Sequence, residues 1–438
     1  MKRSSSSGLI SLAFTLLTFS GVFAQQKDAR VAAQCLQVLT DVMIHDITSP
    51  LIASRDYAYS MIAFYEASRH DDNNFLSYAG QLNGLKKTPD PLPGETYDWL
   101  VAGTTAFYKT SYTFVFSKAL FQQYWDSLET ALKNKKYGAG VYERSVLYGE
   151  QVADHILQWA QEDQYVQTRT LPRFTPSPDA GTWQQTSPDY MEAIEPNWNQ
   201  MRTMVLASPG EISIPSPATY KSEKFLKACK EVYETKNNLS GENKWIANFW
   251  DCNPFATQTV GHLMYSIKKI SPGGHWLGIS GVAIHKTGRS LVEALAAYSL
   301  VSVALFDGFI ACWDVKFKTN YIRPVSAIQQ LISPAWEPVL QTPPFPEYPS
   351  GHSVISMASA VVLTQLFGDH FSYTDDVEKP YGIENRNFSS FYAAANEAAI
   401  SRLYGGIHFR EAIENGSEMG RKIGEQILSR VILKRKDN

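Results

Sequence analysis

Three blocks in the second half of the chain carry side chains suited to holding a tetrahedral oxyanion. In KFKTNYIRP, residues 316–324, Lys316 and Arg323 stand close to two helical turns apart, so both are expected on one helix face before Pro324 ends the helix. In FPEYPSGHSVIS, residues 345–356, Pro349 sets a turn, and Ser350 and Gly351 fall where a helix should begin. A helix start offers an anion unpaired backbone N–H groups, here with a hydroxyl beside them. In SRLYGGIHF, residues 401–409, Arg402 lies near a predicted helix end, and the pair Gly405 and Gly406 lets the chain turn so that His408 approaches from outside that helix. Each cation can bind oxyanion oxygens through charge-assisted hydrogen bonds worth ~1.5–3 kcal/mol net.

Taken singly, each block has a structural alternative. Lys316 and Arg323 can be the solvated ends of an amphipathic helix, Pro-Ser-Gly a capped turn, and a single His a satisfied structural residue. Their conjunction in one chain is what points to a site.

The elements that must position these residues read as helices. From Arg30 to Tyr165 the apolar residues recur at helical spacing, as in Leu36, Leu39, Val42 and Met43, then Tyr57, Met61, Phe64 and Tyr65. Prolines crowd the stretch from Pro172 to Pro217, which also holds Trp183 and Trp198, and predict a long irregular lid or linker. Helical periodicity resumes near Glu223. The apolar run SLVEALAAYSLVSVALFDGFIACWDVKF is interrupted by Glu293, Asp307 and Asp314, so it predicts a buried central helix, not a membrane span. Further helices are expected over Ser353–Phe367, over Ser389–Tyr404 and from Glu411 to the tail. No segment alternates convincingly as a strand, and the expected fold class is all-α, made of helical bundles with the oxyanion pocket in the C-terminal one. The expected division is residues 1–24, 25–171 (N-terminal helices), 172–222 (irregular bridge) and 223–438 (C-terminal helical region).

A chain of 438 residues with 44% hydrophobic content can bury a large core. Lys2 and Arg3, the apolar stretch from Gly8 to Phe23 and the small residues before Ala24 predict a signal peptide cleaved near Ala24, hence a secreted or periplasmic protein without a membrane span in its mature form. Cys35, Cys229, Cys252 and Cys312 are far apart and suggest neither a zinc motif nor a disulfide scaffold. A net charge of −3, with no basic stripe beyond residues 433–436, argues against nucleic acid as a partner. Oligomeric state is not legible.

In order, the blocks spell K-x6-R-P, P-S-G-H and S-R-x5-H, which resembles the three-part signature shared by type 2 phosphatidic acid phosphatases and vanadium-dependent haloperoxidases. The strings TPPFPEYPSGH and CWDVKFKTNYIRP are similar to the haloperoxidase branch, and within it to bacterial iodoperoxidases. The resemblance implies vanadate as cofactor, bound by Lys316, Arg323, Ser350, Gly351, Arg402 and His408, with His408 as the single protein ligand to vanadium. It implies that His352 is the acid–base group, that Lys316 polarises the peroxide, that Asp314 joins them as a catalytic residue bordering the site, and that Trp313 and Phe345 line the halide pocket. The implied reaction is oxidation of a halide, iodide first and bromide second, by hydrogen peroxide to hypohalous acid. The alternative is a secreted acid phosphatase that hydrolyses phosphate esters with His408 as nucleophile and His352 as acid. One departure tilts the reading toward the peroxidase. The phosphatase pattern places an Asp four residues after the apical His, and here Ala412 stands there, with Glu411 and Glu414 nearby and Asp314 a distant candidate. His262, His275 and His285 are read as structural.

Overall fold

A computed structural model describes residues 28–260 and 262–435, and the expected signal peptide lies outside them. The architecture is all-α. Helix α1 covers 28–45, followed by α2 (Pro50–Ser68), α3 (Trp99–Phe114), α4 (Lys118–Lys133), α5 (Val141–Gln161) and the single turn α6 (Tyr165–Thr168). After the bridge come α7 (Glu223–Asn237), α8 (Gly241–Phe249), the strands β1 (Thr257–Val260) and β2 (Leu263–Ser266), α9 (Pro272–Thr287) and α10 (Leu291–Thr319). The chain closes with α11 (Pro324–Leu331), α12 (Gly351–Phe367), β3 (Tyr373–Asp375), β4 (Arg386–Phe388), α13 (Phe391–Tyr404) and α14 (Arg410–Arg430).

Helix α10 organises the molecule. Ser290 opens it with a reciprocal capping box to Glu293, and Asn320, at φ 45°, closes it. It packs on α2 on one side and on α12 on the other. Among the described residues it is the one helix long and apolar enough to cross a membrane, and its most apolar stretch is wholly buried in protein. A helix apolar all round must be covered all round, and here other helices cover it.

Close helix contacts then set the position of the α12 N-terminus. Gly416, Gly420 and Gly424 form a stripe along α14, and a Cβ on Gly420 would lie 2.1 Å from the Val354 carbonyl oxygen of α12. A Cβ on Gly416 would lie 2.9 Å from the Ser350 carbonyl oxygen, so the stripe brings α14 against the turn that carries Ser350.

Three features differ from the sequence expectation. Residues between α2 and α3 are largely irregular although Phe75, Tyr78, Leu82 and Leu85 are buried. Buried Glu66 accounts for this, since it accepts the Tyr78 N–H and the Ser77 and Thr88 hydroxyls and so fastens a loop where a helix was expected. Two antiparallel ribbons, β1 with β2 and β3 with β4, are too short to show alternation in the sequence. The bridge is irregular as expected, but it is clamped. Asp307 of α10, fully buried, accepts the backbone N–H groups of Met204, Val205 and Leu206 at 2.6, 2.8 and 2.9 Å.

Candidate functional site

Lys316 and Arg323 reach one place by a route other than the expected shared helix. α10 stops at Thr319, and Arg323 is the residue before Pro324, which begins α11 instead of ending α10. Proline is well suited to a first helical position because its missing N–H would have had no helical partner there. Lys316 is fully buried and donates to the carbonyls of Pro346 and Glu347 at 2.8 and 3.0 Å, which leaves one ammonium proton uncommitted. Arg323, also fully buried, donates from Nε to the Phe345 carbonyl and from Nη1 to the Ile407 carbonyl, while Nη2 has no protein partner. Arg402 is anchored through Nη2 to the Trp250 carbonyl at 2.6 Å.

Ser350 caps α12. Its oxygen accepts the Ser353 N–H and the Ser353 hydroxyl, so its own proton remains free to donate. Gly351 and His352 are the first residues of α12, two earlier than expected. The His352 ring bonds the Trp250 carbonyl, and its Nε2 has no protein partner. Gly351, His352, Arg402, His408, Trp313 and Phe345 line one cavity, with Phe255, Phe309 and Pro343 around it. The Phe345 ring lies 4.8 Å from that of Trp313 and also faces Lys316 Nζ at 5.1 Å and the Arg323 guanidinium at 5.0 Å.

Asp314 is placed elsewhere. It accepts Asn199 Nδ2 at 3.0 Å and pairs with Lys318 at 2.6 Å, so it holds the bridge instead of lining the cavity. On a helix, adjacent residues point about 100° apart, and Trp313 and Lys316 take the inward face.

The residue that sequence reasoning missed is Glu347. Its Oε1 accepts His408 Nδ1–H and the Phe409 N–H, both at 2.9 Å, and its side chain is fully buried. Glu411 is spent on Lys224 and the Ala218 N–H, and Glu414 is exposed. The carboxylate missing at Ala412 is therefore supplied from the loop before α12, and its absence from the usual position no longer argues against a nucleophilic His408. The only available signal was a Glu inside FPEYPSGH, a stretch otherwise apolar before the turn. With Nδ1 as donor, His408 Nε2 is the acceptor nitrogen, and its lone pair takes a hydrogen bond from Arg323 Nη1 at 3.3 Å, which a bound vanadium would displace.

Burial governs the electrostatics. It pulls Lys316 down to about 7 and Arg323 down to about 10, and it pushes Glu347 up to about 7. Burial, followed by the cations around them, holds His408 and His352 well below the usual His range, so both imidazoles are neutral. Arg402, Gly351, His352 and His408 line the cavity, while Lys316, Arg323 and Ser350 are buried next to those residues without lining it. These desolvated cations and the spare donors on Ser350 and Arg323 fit a vanadate-like oxyanion, since each spare donor would then gain an acceptor and each cation a counter-charge.

The family described as VCPO second helical-bundle domain matches residues 296–435. The solved structure of a bacterial vanadium-dependent iodoperoxidase is 44% identical, with a TM-score of 0.88 over 94% of this chain and 98% of that one. Two structures of a bacterial vanadium-dependent chloroperoxidase share the fold alone. The apo form has a TM-score of 0.65 at 15% identity, over 87% of this chain and 94% of that one. The holo form has 0.66 at 16%, over 90% and 92%. No curated protein matches. The chain belongs to the vanadium-dependent haloperoxidases, enzymes that oxidise halides with peroxide, and its cofactor is vanadate.

Proposed function

We propose that this haloperoxidase prefers iodide, accepts bromide less well, and uses the cavity between His352 and His408 to do so. The observation that carries the iodide preference is the aromatic wall of Phe345 and Trp313 beside the buried cations. Leaving water costs a small, strongly hydrated halide more than a large polarisable one, and an aromatic wall offers little to offset that cost. The 44% identity to an iodoperoxidase supports the same reading.

Bound vanadate supplies a Lewis-acidic centre at which hydrogen peroxide becomes an electrophilic oxygen donor. The chain's own residues do the rest. Glu347 holds His408 in the tautomer whose Nε2 can ligate vanadium. Lys316, Arg323 and Arg402 neutralise the oxyanion, and the Ser350 hydroxyl and Gly351 N–H donate to it. His352, neutral and with Nε2 free, takes and returns the proton.

Glu347 also favours a second reading, since a phosphohistidine mechanism requires a carboxylate on Nδ1. Steady-state kinetics decide both points. Vanadate-loaded enzyme is expected to show a higher kcat/KM for iodide than for bromide, and a bromide value equal or greater rejects the preference. Hydrolysis of p-nitrophenyl phosphate without vanadate, at a rate above that of a His408→Ala variant, would establish the phosphatase as a further activity of the same pocket.

A further inference from the structure

Adjoining the vanadate cavity, whose lining includes Cys252, lies a second buried group of chemistry-bearing side chains to which the halide reaction gives no role. Cys252 follows α8, His275 sits in the first turn of α9, and Asp375 and Glu378 belong to β3 and the residues after it. Cys252 Sγ lies 3.4 Å from His275 Nδ1 and 3.2 Å from Glu378 Oε1, and Glu378 Oε1 lies 3.3 Å from His275 Nδ1. His275 Nε2 is held by Asp375 Oδ2 at 2.9 Å. All four residues are buried.

We propose that Cys252 Sγ, His275 Nδ1 and Glu378 Oε1 ligate a zinc ion, with Asp375 fixing the His275 tautomer. Three lines of geometry and chemistry converge. Zinc bonds of ~2.3 Å to sulfur and ~2.0–2.1 Å to nitrogen or oxygen give tetrahedron edges of roughly 3.3–3.6 Å, and the three measured separations fall at or just below that range. A carboxylate on the far nitrogen of a ligating histidine is the arrangement that holds such rings in place in zinc proteins, and here Asp375 provides it. The mixture of a thiol, an imidazole and a carboxylate suits zinc and is poor for calcium or magnesium, which take oxygen ligands.

The surroundings add to this. Among the described residues no Lys or Arg forms an ion pair with Asp375 or Glu378, although both are buried. Without a metal, both carboxylates would have to share His275, which would then carry two ring protons, and Glu378 would keep a thiol, a weak donor, as its other partner. With zinc, the Nε2 proton serves Asp375 while Glu378 and the Cys252 thiolate serve the ion. A water completes the coordination.

The site would fasten the floor of the vanadate cavity. The Trp250 ring stacks on His275 with centroids 4.8 Å apart, and the Trp250 carbonyl is the anchor for both Arg402 and His352. The zinc thus joins α8, α9 and the β3–β4 ribbon beneath those two residues. The sequence gives no hint of it, since Cys252, His275 and Glu378 are far apart in the chain and no second Cys is nearby.

Metal analysis tests the proposal independently of halide preference. The vanadate-loaded full chain, equilibrated with micromolar zinc and desalted, is expected to carry about one zinc per chain. Cys252→Ser and Glu378→Gln should lose it, and Asp375→Asn should weaken zinc affinity ~10–100-fold. Wild-type protein that retains no zinc, or a Cys252→Ser variant that retains the full amount, overturns the assignment. Should the variants fail to fold, cobalt added to wild-type protein provides the second measurement. A thiolate-to-cobalt charge-transfer band is expected, and a cobalt spectrum without it also overturns the assignment.

Discussion

Replacing Glu347 separates two effects that act on vanadate in opposite directions. Glu347→Ala removes the acceptor of both His408 Nδ1–H and the Phe409 N–H. His408 is then free to carry its proton on Nε2, where it cannot ligate, and removal of such a partner typically weakens metal binding ~10–100-fold. That loss corresponds to about 1.4–2.7 kcal/mol. The substitution also removes a negative charge that repels the bound oxyanion. Across an imidazole ring, at roughly 7 Å and an effective dielectric near 20, that repulsion amounts to about 2 kcal/mol when Glu347 is fully ionised. Because burial raises Glu347 to about 7, only about a tenth of it is ionised at pH 6 in vanadate-free enzyme, and orientation should dominate there. Vanadate dissociation constants, measured by reconstituting halide oxidation and by calorimetry, are therefore expected to rise ~10–100-fold for Glu347→Ala at pH 6. Glu347→Gln keeps the acceptor oxygen and should stay within about threefold of wild type at pH 6, then bind more tightly than wild type at pH 8, where the charge is gone only in the variant. Wild-type affinity in Glu347→Ala, or equal weakening in both variants at pH 6, would refute the orienting role.

Two further outcomes follow from the same geometry. Burial brings Lys316 down to about 7, and its protonated form is the one that attracts vanadate, so the cation is lost as pH rises through that value in vanadate-free enzyme. The dissociation constant, corrected for vanadate's own ionisation, should climb by up to about tenfold per pH unit above 7 and flatten in Lys316→Arg; a constant value in wild type from pH 7 to 9 contradicts this. In Gly420→Ala the new Cβ meets the Val354 carbonyl oxygen, and overpacking of about 1–3 kcal/mol outweighs the roughly 1 kcal/mol that Ala gains over Gly in a helix. The thermal unfolding midpoint should fall, and an unchanged or higher midpoint means α12 and α14 are not in close contact there.

The sequence by itself determined the helical class and the buried nature of α10, and it picked out the candidate oxyanion-binding residues, because helical periodicity and the three motif blocks are local patterns. Lys316, Ser350, Arg402 and His408 were each recognisable from a few neighbours. What orients the site was not. Glu347 supports His408 across 61 residues of chain, and the direction of Asp314 depends on which face of α10 packs inward and what the bridge offers on the other side. The helix break between Lys316 and Arg323 likewise came from how Pro324 starts α11, which spacing alone reads as a single continuing helix. The Cys252, His275, Asp375 and Glu378 group gathers residues from three separate elements. Side-chain types and short spacings are written in the chain, but which hydrogen bonds form between distant segments is decided only when burial forces each polar group to find a partner.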